Sequence, residues 1–352
     1  QHLPYDEQRA WKERIFSDIL HRQAKVTGDV VKPLVPSPSE WNYRTRVQLK
    51  CRQTGQGFVM GFYRRGSHFV IDVDDCPITA PRLNGALRLF RRWLPASPCP
   101  ESIPQVDLEA DDEGRARATV HCLDRDPAPL ADYLGPLAEA EGFSLFLQTG
   151  RKETLERVCG AEELYIRPLG ASLLRLAYGA GGFAQVNLDQ NRRLVAAVLA
   201  AAHLTGQQRV LDLFCGMGNF SLPLAQQAGE VVGVEDYAPS IAWAGRNAHG
   251  NVIANARFHA RPADGALTAL SGSGGFDLVL LDPPRAGAYA VARELATLRP
   301  SSIIYVSCDP PTLARDLVPL LHQGYTVVSS QPFDMFPQTH HIESVTVLRR
   351  VD

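Results

Sequence analysis

A chain of 352 residues, 45% apolar and 21% charged, is long enough for two domains of ordinary size and has the make-up of a soluble globular protein. No run of about eighteen apolar residues occurs, and the first twenty residues mix charged with apolar side chains; this excludes a membrane-spanning helix and a signal-peptide core, and a cytoplasmic protein is expected. The net charge of −2 argues against a uniformly basic nucleic-acid binder, yet ten Arg or Lys face three acids between Trp41 and Pro95.

In chain order, Tyr5 to Gln23 alternate apolar and charged positions at helical spacing and predict a helix with Trp11, Ile15, Ile19 and Leu20 on one side. A Pro-rich connector, Pro33 to Pro38, follows. The short alternating segments Arg46–Lys50, Gly57–Phe62 and His68–Val73 then predict antiparallel strands. They carry the basic stretch, which is what phosphate contacts need because neutralising phosphates releases counterions; the plainer reading is a solvated face. Arg44, Arg46, Arg64 and Arg65 are the candidate RNA-binding residues. This first part runs through the acidic turn at Asp111 to Gly114 and on to about Ala180.

The rhythm then changes. A helical stretch, Leu188 to His203, precedes four apolar strands each followed by a helix-length segment, Val210–Phe214, Val231–Glu235, Leu278–Leu281 and Ile303–Ser307. That alternation predicts an α/β fold with a parallel, doubly wound sheet. Tyr325–Ser329 and Ser344–Leu348 predict a hairpin at one sheet edge. The domain boundary falls between residues 1–182 and 183–352, with the first helix free to pack on the second domain.

In open α/β sheets, ligands and reacting groups gather outside the carboxyl ends of the strands, and three strand ends here carry chemistry. The first reads Leu211-Asp212-Leu213-Phe214-Cys215-Gly216-Met217-Gly218-Asn219, with two glycines in a tight strand-to-helix turn where backbone N–H groups approach a ligand closely. G-x-G alone is a weak signal. It gains weight from Glu235, at the next strand end and 23 residues after Asp212, where a carboxylate accepts both hydroxyls of a ribose. The third glycine of the dinucleotide fingerprint is missing, so adenosine without a pyrophosphate fits better. The second end reads Asp282-Pro283-Pro284-Arg285. The third is Tyr305-Val306-Ser307-Cys308-Asp309-Pro310, whose thiol is either a nucleophile or core packing on this reading alone. The seven cysteines show no CxxC pair, and reduced thiols are expected.

Taken together, Asp282-Pro283-Pro284-Arg285, Ser307-Cys308-Asp309-Pro310 and Pro337-Gln338-Thr339-His340-His341-Ile342-Glu343 resemble the RNA uracil-C5 methyltransferases, whose patterns run DPPR, SCNP and P-x-T-x-H-x-E. Phe183-Ala184-Gln185-Val186-Asn187 looks like the family's F-x-Q-V-N element. Gln1 to Tyr5 and the segment Pro36 to Arg46 look like the branch acting on large-subunit (23S) ribosomal RNA. The resemblance implies a Rossmann-like S-adenosylmethionine-dependent methyltransferase sheet with an N-terminal α+β RNA-binding domain, acting as a monomer on RNA. It assigns Cys308 as nucleophile and Glu343 as base, with Asp282 beside cofactor and pyrimidine, and Gln185, Phe214, Gly216, Asn219, Glu235 and Asp264 as further cofactor contacts.

The chemistry explains the set. C5 of uracil is too weak a nucleophile to attack a sulfonium methyl until a thiolate adds at C6, and a base must later remove the C5 proton.

The resemblance also implies a 4Fe-4S cluster, for which Cys76 matches the fourth ligand. The other three cysteines lie, in that branch, just before the element with which this sequence opens, so a preceding segment with those ligands and a small β-barrel RNA-binding module is expected. Asp309 stands where the family usually has Asn, which should alter the loop's hydrogen bonding but not the nucleophile. His340 and His341 invite a metal reading, which strand geometry would oppose by pointing them to opposite faces. Three alternatives stay open: the same chemistry on transfer RNA, a non-catalytic RNA-binding protein, and an amine methyltransferase, which Arg285 and the thiol disfavour.

Overall fold

Apolar runs and alternations along the strands build two seven-stranded sheets covered by helices and, among the described residues, a third sheet of two strands. The computed structural model of the protein describes residues 2–151, 154–170, 173–270, 274–295 and 298–351. In chain order the elements are α1 (Tyr5–Ala24), β1 (Arg46–Thr54), β2 (Gly57–Tyr63), β3 (Val70–Asp72), α2 (Pro81–Trp93), β4 (Gln105–Ala110), β5 (Ala116–His121), α3 (Ala128–Ala140), β6 (Phe143–Gln148), β7 (Leu155–Cys159), β8 (Glu163–Ile166) and β9 (Leu176–Gly179). They continue with α4 (Leu188–Ala202), β10 (Arg209–Leu213), α5 (Ser221–Ala225), β11 (Glu230–Glu235), α6 (Ala238–Gly250), β12 (Ala256–Ala260), α7 (Ala263–Leu270), β13 (Leu278–Leu281), α8 (Tyr289–Glu294), β14 (Ser302–Ser307), α9 (Pro310–His322), β15 (Tyr325–Phe333) and β16 (Glu343–Arg350). They fall into two units, residues 41–166 with 177–188, and residues 1–40 with 167–176 and 189–352.

The unit of residues 41–166 and 177–188 holds the sheet β3-β2-β1-β4-β5-β6-β7. The three strands expected from Arg46 to Val73 are antiparallel, as β1, β2 and β3. β5 and β6 run parallel, joined by the crossover helix α3. One sheet face, with Leu49, Val106, Val120 and Leu145, packs on Leu87 and Phe90 of α2 and Leu134 of α3. The opposite face is polar. There Arg117, fully buried, donates through Nε and Nη2 to Glu109 Oε2 at 2.9 and 2.7 Å. The acidic turn closes the β4–β5 hairpin, where Asp111 accepts from the N–H groups of Glu113, Arg115 and Tyr165.

The larger unit contains the sheet β12-β11-β10-β13-β14-β16-β15. β12, β11, β10, β13 and β14 are parallel, and β16 is antiparallel to both β14 and β15. The terminal hairpin thus forms as expected, with β16 inserted beside β14. Alternate residues feed two cores: Leu211, Leu213, Val279, Leu281 and Ile303 on the side of α1, α7, α8 and α9, and Val210, Leu278, Leu280 and Ile304 on the side of α4 and α5. This is the doubly wound arrangement of the sequence reading. A fifth parallel strand, β12, was not anticipated; as an edge strand reading Ala-Arg-Phe-His-Ala, half exposed, it carries no apolar run.

Helix α1 forms where expected but buries a different face. Its buried stripe is Gln8, Lys12, Phe16, Leu20 and Ala24, an i,i+4 row, while Trp11 and Ile15 are 49% and 46% exposed. Hydropathy misplaces the stripe because two of its members are polar yet partnered. Lys12 Nζ donates to Asp334 Oδ1 at 2.7 Å and to the Phe336 carbonyl at 3.0 Å, and Gln8 Nε2 donates to Gln338 Oε1 at 2.9 Å. Removing one partner of a buried ion pair leaves an uncompensated charge, at a cost of about 3–5 kcal/mol. Lys12→Ala is therefore expected to lower the urea midpoint by that order, while the pair Lys12→Met with Asp334→Leu should recover most of the loss; equal losses in both variants would show that packing, not charge, is what matters.

Candidate active site

The register of the larger sheet draws its reactive residues into one row. Leu213 of β10 is level with Val234 of β11 and Leu281 of β13, so the next residues, Phe214, Glu235 and Asp282, leave the sheet side by side. Cys308 follows β14, whose last residue Ser307 pairs with Ser344 of the antiparallel β16. Cys308 and Glu343 are the next residues on either side of that pair, and Glu343 acts on the thiol's ionisation. Five adjacent strands, β11, β10, β13, β14 and β16, thus deliver an acid, an aromatic ring, an acid, a thiol and an acid to one end of the sheet.

At the β10–β11 end the backbone is folded tightly. Phe214 takes φ 67°, a left-handed conformation uncommon for a bulky residue and found where a site over-determines it, and Gly216 and Gly218 take φ 54° and 97°. Glu235 spans the turn: its Oε2 accepts from Gly216 N at 3.2 Å and its Oε1 from Tyr237 N at 3.0 Å. Phe214, Glu235, Asp236, Asp264 and Tyr289 line a cavity of about 260 Å³. An aromatic face beside carboxylate acceptors fits an adenosine, whose base stacks and whose ribose hydroxyls donate. Asp264 is exposed at the start of α7, where its Oδ1 accepts from Gly265 N. Asn219 and the buried Asn191 exchange amide hydrogen bonds at 2.9 and 3.1 Å. Asn191 is a partner of Asn219 that the sequence reading missed, because an Asn within a helix carries no motif. Gln185 lies buried in the unit of residues 41–166 and 177–188.

At the other end, the loop after Asp282 is pinned from below. Tyr305 Oη and Ala288 N both donate to Asp316 Oδ2, at 2.7 and 2.6 Å, and Arg315 Nη2 donates to the Ala286 carbonyl at 2.7 Å. Gly287, at φ 76°, stands so near that an added Cβ would lie 2.5 Å from Asp316 Oδ2. Asp309 caps α9, accepting from Thr312 N at 3.0 Å. An Asn could supply the same acceptor, so the departure keeps the cap. His340 and His341 are a correction: they lie ahead of β16, not on a strand, and their rings are 4.1 Å apart. Among the described residues they belong to no group of three or more metal-ligating side chains.

Burial dominates the electrostatics. It pushes Asp282 up to about 8, with Asp212 and Glu235 adding repulsion. Asp212 rises to about 7 through burial and Glu235, opposed by the hydrogen bond it accepts from Ser221. Glu343 is raised by burial and then by Asp282, while Arg285 acts in the opposite sense. Cys308 is pushed up to about 12 by burial, Glu343 and Asp282, and Arg285 again lowers it. Like charges in a desolvated row cannot all ionise. Arg285 itself contacts His341, with Nη2 2.9 Å from each ring nitrogen.

The remaining candidates lie in the unit of residues 41–166 and 177–188. Arg46 is committed internally, to Glu109 at 3.3 Å and the Gly182 carbonyl at 3.0 Å, and Arg44 Nε donates to the Arg46 carbonyl. Arg64 and Arg65 are exposed beyond the end of β2. Cys76 is half-buried, its backbone held by Asn84. Among the described residues the one convergent group of metal-ligating side chains is Cys99, Cys122 and Asp124, and Cys76 is not part of it. One thiolate cannot hold a four-iron cluster, so the described residues do not fit that group.

A doubly wound sheet with glycines after its first strand, an acid at its second and a cavity between is the frame of S-adenosylmethionine-dependent methyltransferases. The profile of the tRNA (uracil-5-)-methyltransferase family matches residues 168–351. Relatives include the 23S rRNA (uracil(1939)-C(5))-methyltransferases RlmD of Alkalilimnicola ehrlichii, 37% identical over 99% of this chain and 79% of that one, and of Pseudomonas fluorescens, 38% identical over 99% and 76%. Among solved structures, Pyrococcus abyssi tRNA (uracil-54, C5)-methyltransferase in complex with S-adenosyl-L-homocysteine aligns with a TM-score of 0.78 and 26% identity, covering 99% of this chain and 84% of that one. The chain belongs to this family of RNA uracil-C5 methyltransferases.

The raised carboxyls set a pH dependence. A group whose folded pKa exceeds its unfolded value holds its proton in the folded state, so its contribution is present at low pH and lost as pH rises from about 4 towards about 8 for Asp282. The protein without ligand is expected to lose stability over that window. Asp282→Asn should reduce the loss by at least about 1 kcal/mol, read from urea midpoints at pH 5 and pH 8; parallel pH profiles would count against a buried, protonated Asp282.

Proposed function

We propose that the protein methylates C5 of a uridine in large-subunit ribosomal RNA, working in the cytoplasm as a monomer with Cys308 as nucleophile and Glu343 as base. The observation that supports this reading is the β14–β16 register, which ends at Ser307 and Ser344 and leaves a thiol and a buried carboxyl as the next residues on either side, the carboxyl acting on the thiol's ionisation. Ribosomal RNA is favoured over transfer RNA by the named relatives that match 99% of the chain. S-adenosylmethionine supplies the methyl group when bound, and Phe214, Gly216, Glu235 and Asp264 are the residues to hold it, with Gln185 and Asn219 as further candidates.

The chain's own part is proton and electron management. Cys308, its proton lost to solvent, adds through Sγ to uracil C6; the C5=C6 electrons move through C4 to O4, and C5 becomes the nucleophile that takes the methyl group, releasing the donor as a neutral thioether. Arg285, which lowers the thiol's pKa, favours the attacking form. Asp282, held neutral by its surroundings, can donate a hydrogen bond to the pyrimidine without adding charge beside the thiolate. Glu343 must reach its ionised form to take the C5 proton; the C5–H bond breaks, its electrons form C5=C6, and the C6–S bond breaks as the thiolate departs. Arg44, Arg46, Arg64 and Arg65 are the proposed RNA contacts, with Arg64 and Arg65 the freer pair.

RNA containing 5-fluorouridine tests the scheme, because fluorine cannot leave as a proton and elimination stalls. A covalent adduct is expected with the wild type and none with Cys308→Ala. Glu343→Gln should slow turnover by about 10²–10⁴-fold and accumulate methylated RNA attached to protein. An adduct that persists in Cys308→Ala would remove Cys308 from the mechanism, and wild-type turnover in Glu343→Gln would remove Glu343. Mass spectrometry of nuclease digests of 23S and transfer RNA from a strain lacking the gene identifies the substrate.

A further inference from the structure

The β2–β3 hairpin carries side chains that the reaction does not use. Phe62 packs against the core beneath the sheet, while its neighbour Tyr63 points the other way and is 44% exposed. Phe69, in the turn, is 65% exposed and Ile71 47%. The His68 ring stands edge-on to Tyr63 at 5.3 Å and 88°, and Lys50 Nζ lies 5.4 Å from the Tyr63 centroid. Ile71 sits across from Phe62 and so belongs to the other face; the two exposed rings, Tyr63 and Phe69, are not explained by packing, and exposed apolar groups of this kind mark binding surfaces.

The charge around them selects the partner. Between Trp41 and Ile71 there is no Asp or Glu, but there are Arg44, Arg46, Lys50, Arg52, Arg64 and Arg65. The carboxylates that follow are already matched: Asp72 to Arg91 Nη2 at 2.8 Å, Asp74 to Arg91 at 3.3 Å and Asp75 to Arg88 at 2.6 Å. Among the described residues neither Arg64 nor Arg65 has an ion-pair partner. An apolar protein partner would want rings and aliphatic groups in one continuous patch, and here cations interrupt them. Aromatic faces interleaved with cations fit a nucleic-acid strand, since every unpaired base offers a π-face and every nucleotide a phosphate.

We infer that this hairpin is a stacking platform for unpaired nucleotides of the RNA substrate, with bases on Phe69 and Tyr63 and phosphates on Arg64 and Arg65. The inference rests on the reading of RNA as substrate. It gives the protein a way to hold a strand open while a uracil leaves its stack, a cost that contacts to neighbouring nucleotides must offset.

The test measures binding of the full chain to a single-stranded RNA and to a fully paired hairpin of equal length, at several salt concentrations. Phe69→Ala and Tyr63→Ala should each weaken single-strand binding by about 10-fold, with less than about 2-fold change on the duplex and no change in salt slope. Phe69→Trp should retain affinity, and Leu123→Ala, an exposed apolar change outside the hairpin, should have no effect. Arg64→Ala and Arg65→Ala should each reduce the salt slope by roughly one unit. Thermal melts check that the variants fold. Equal losses on single strand and duplex, or no loss on either, would overturn the platform. Wild-type adduct formation with 5-fluorouridine RNA reads the chemistry separately, so failure there would leave the binding result standing.

Discussion

Desolvation at the carboxyl end of the larger sheet governs the rest of the site. Asp212, Glu235, Asp282 and Glu343 converge with the Cys308 thiol where water is scarce, and each carboxyl is raised by burial before any neighbour acts. Ionisation is therefore disfavoured along the row. Among the groups acting on Cys308 and Glu343, Arg285 is the cation, so it sets how far either can ionise. A cysteine held as a thiol is protected from alkylation and oxidation, whose reactive form is the thiolate.

Holding that row needs a rigid support. The Asp316 carboxylate ties the loop after Asp282 to Tyr305 of β14, so two of the reactive strand ends share one buried anchor. Glu235 does the same for β10 and β11 through the Gly216 N–H. The strained Phe214 backbone is tolerated because both flanking segments are fixed.

Much of this was legible beforehand. Apolar runs announce central parallel strands because both faces are buried, and Leu278–Leu281 and Ile303–Ser307 were read correctly for that reason. Motifs at their ends singled out Cys308, Asp282 and Glu343, which the structure brings to one end of the sheet. What escaped notice depends on tertiary partners: β12 is an edge strand without an apolar run, α1 buries a lysine that only Asp334 makes affordable, and Asn191 matters only through Asn219. The position of His340 and His341 was misjudged because the turn before β16 delays the strand until Glu343.

The partners of α1 carry a consequence for biosynthesis. This helix packs against α9 and pairs with Asp334, more than three hundred residues later in the chain. During translation it emerges early yet cannot bury Phe16 or Leu20 until the last strands are made, so the larger unit closes late and with a high contact order. A nascent chain stalled before Asp334 holds the complete nucleotide-facing turn of β10 and even the Cys308 thiol, but neither Glu343 nor the lock on its first helix. A product stopped there would carry the proposed nucleophile without the proposed base.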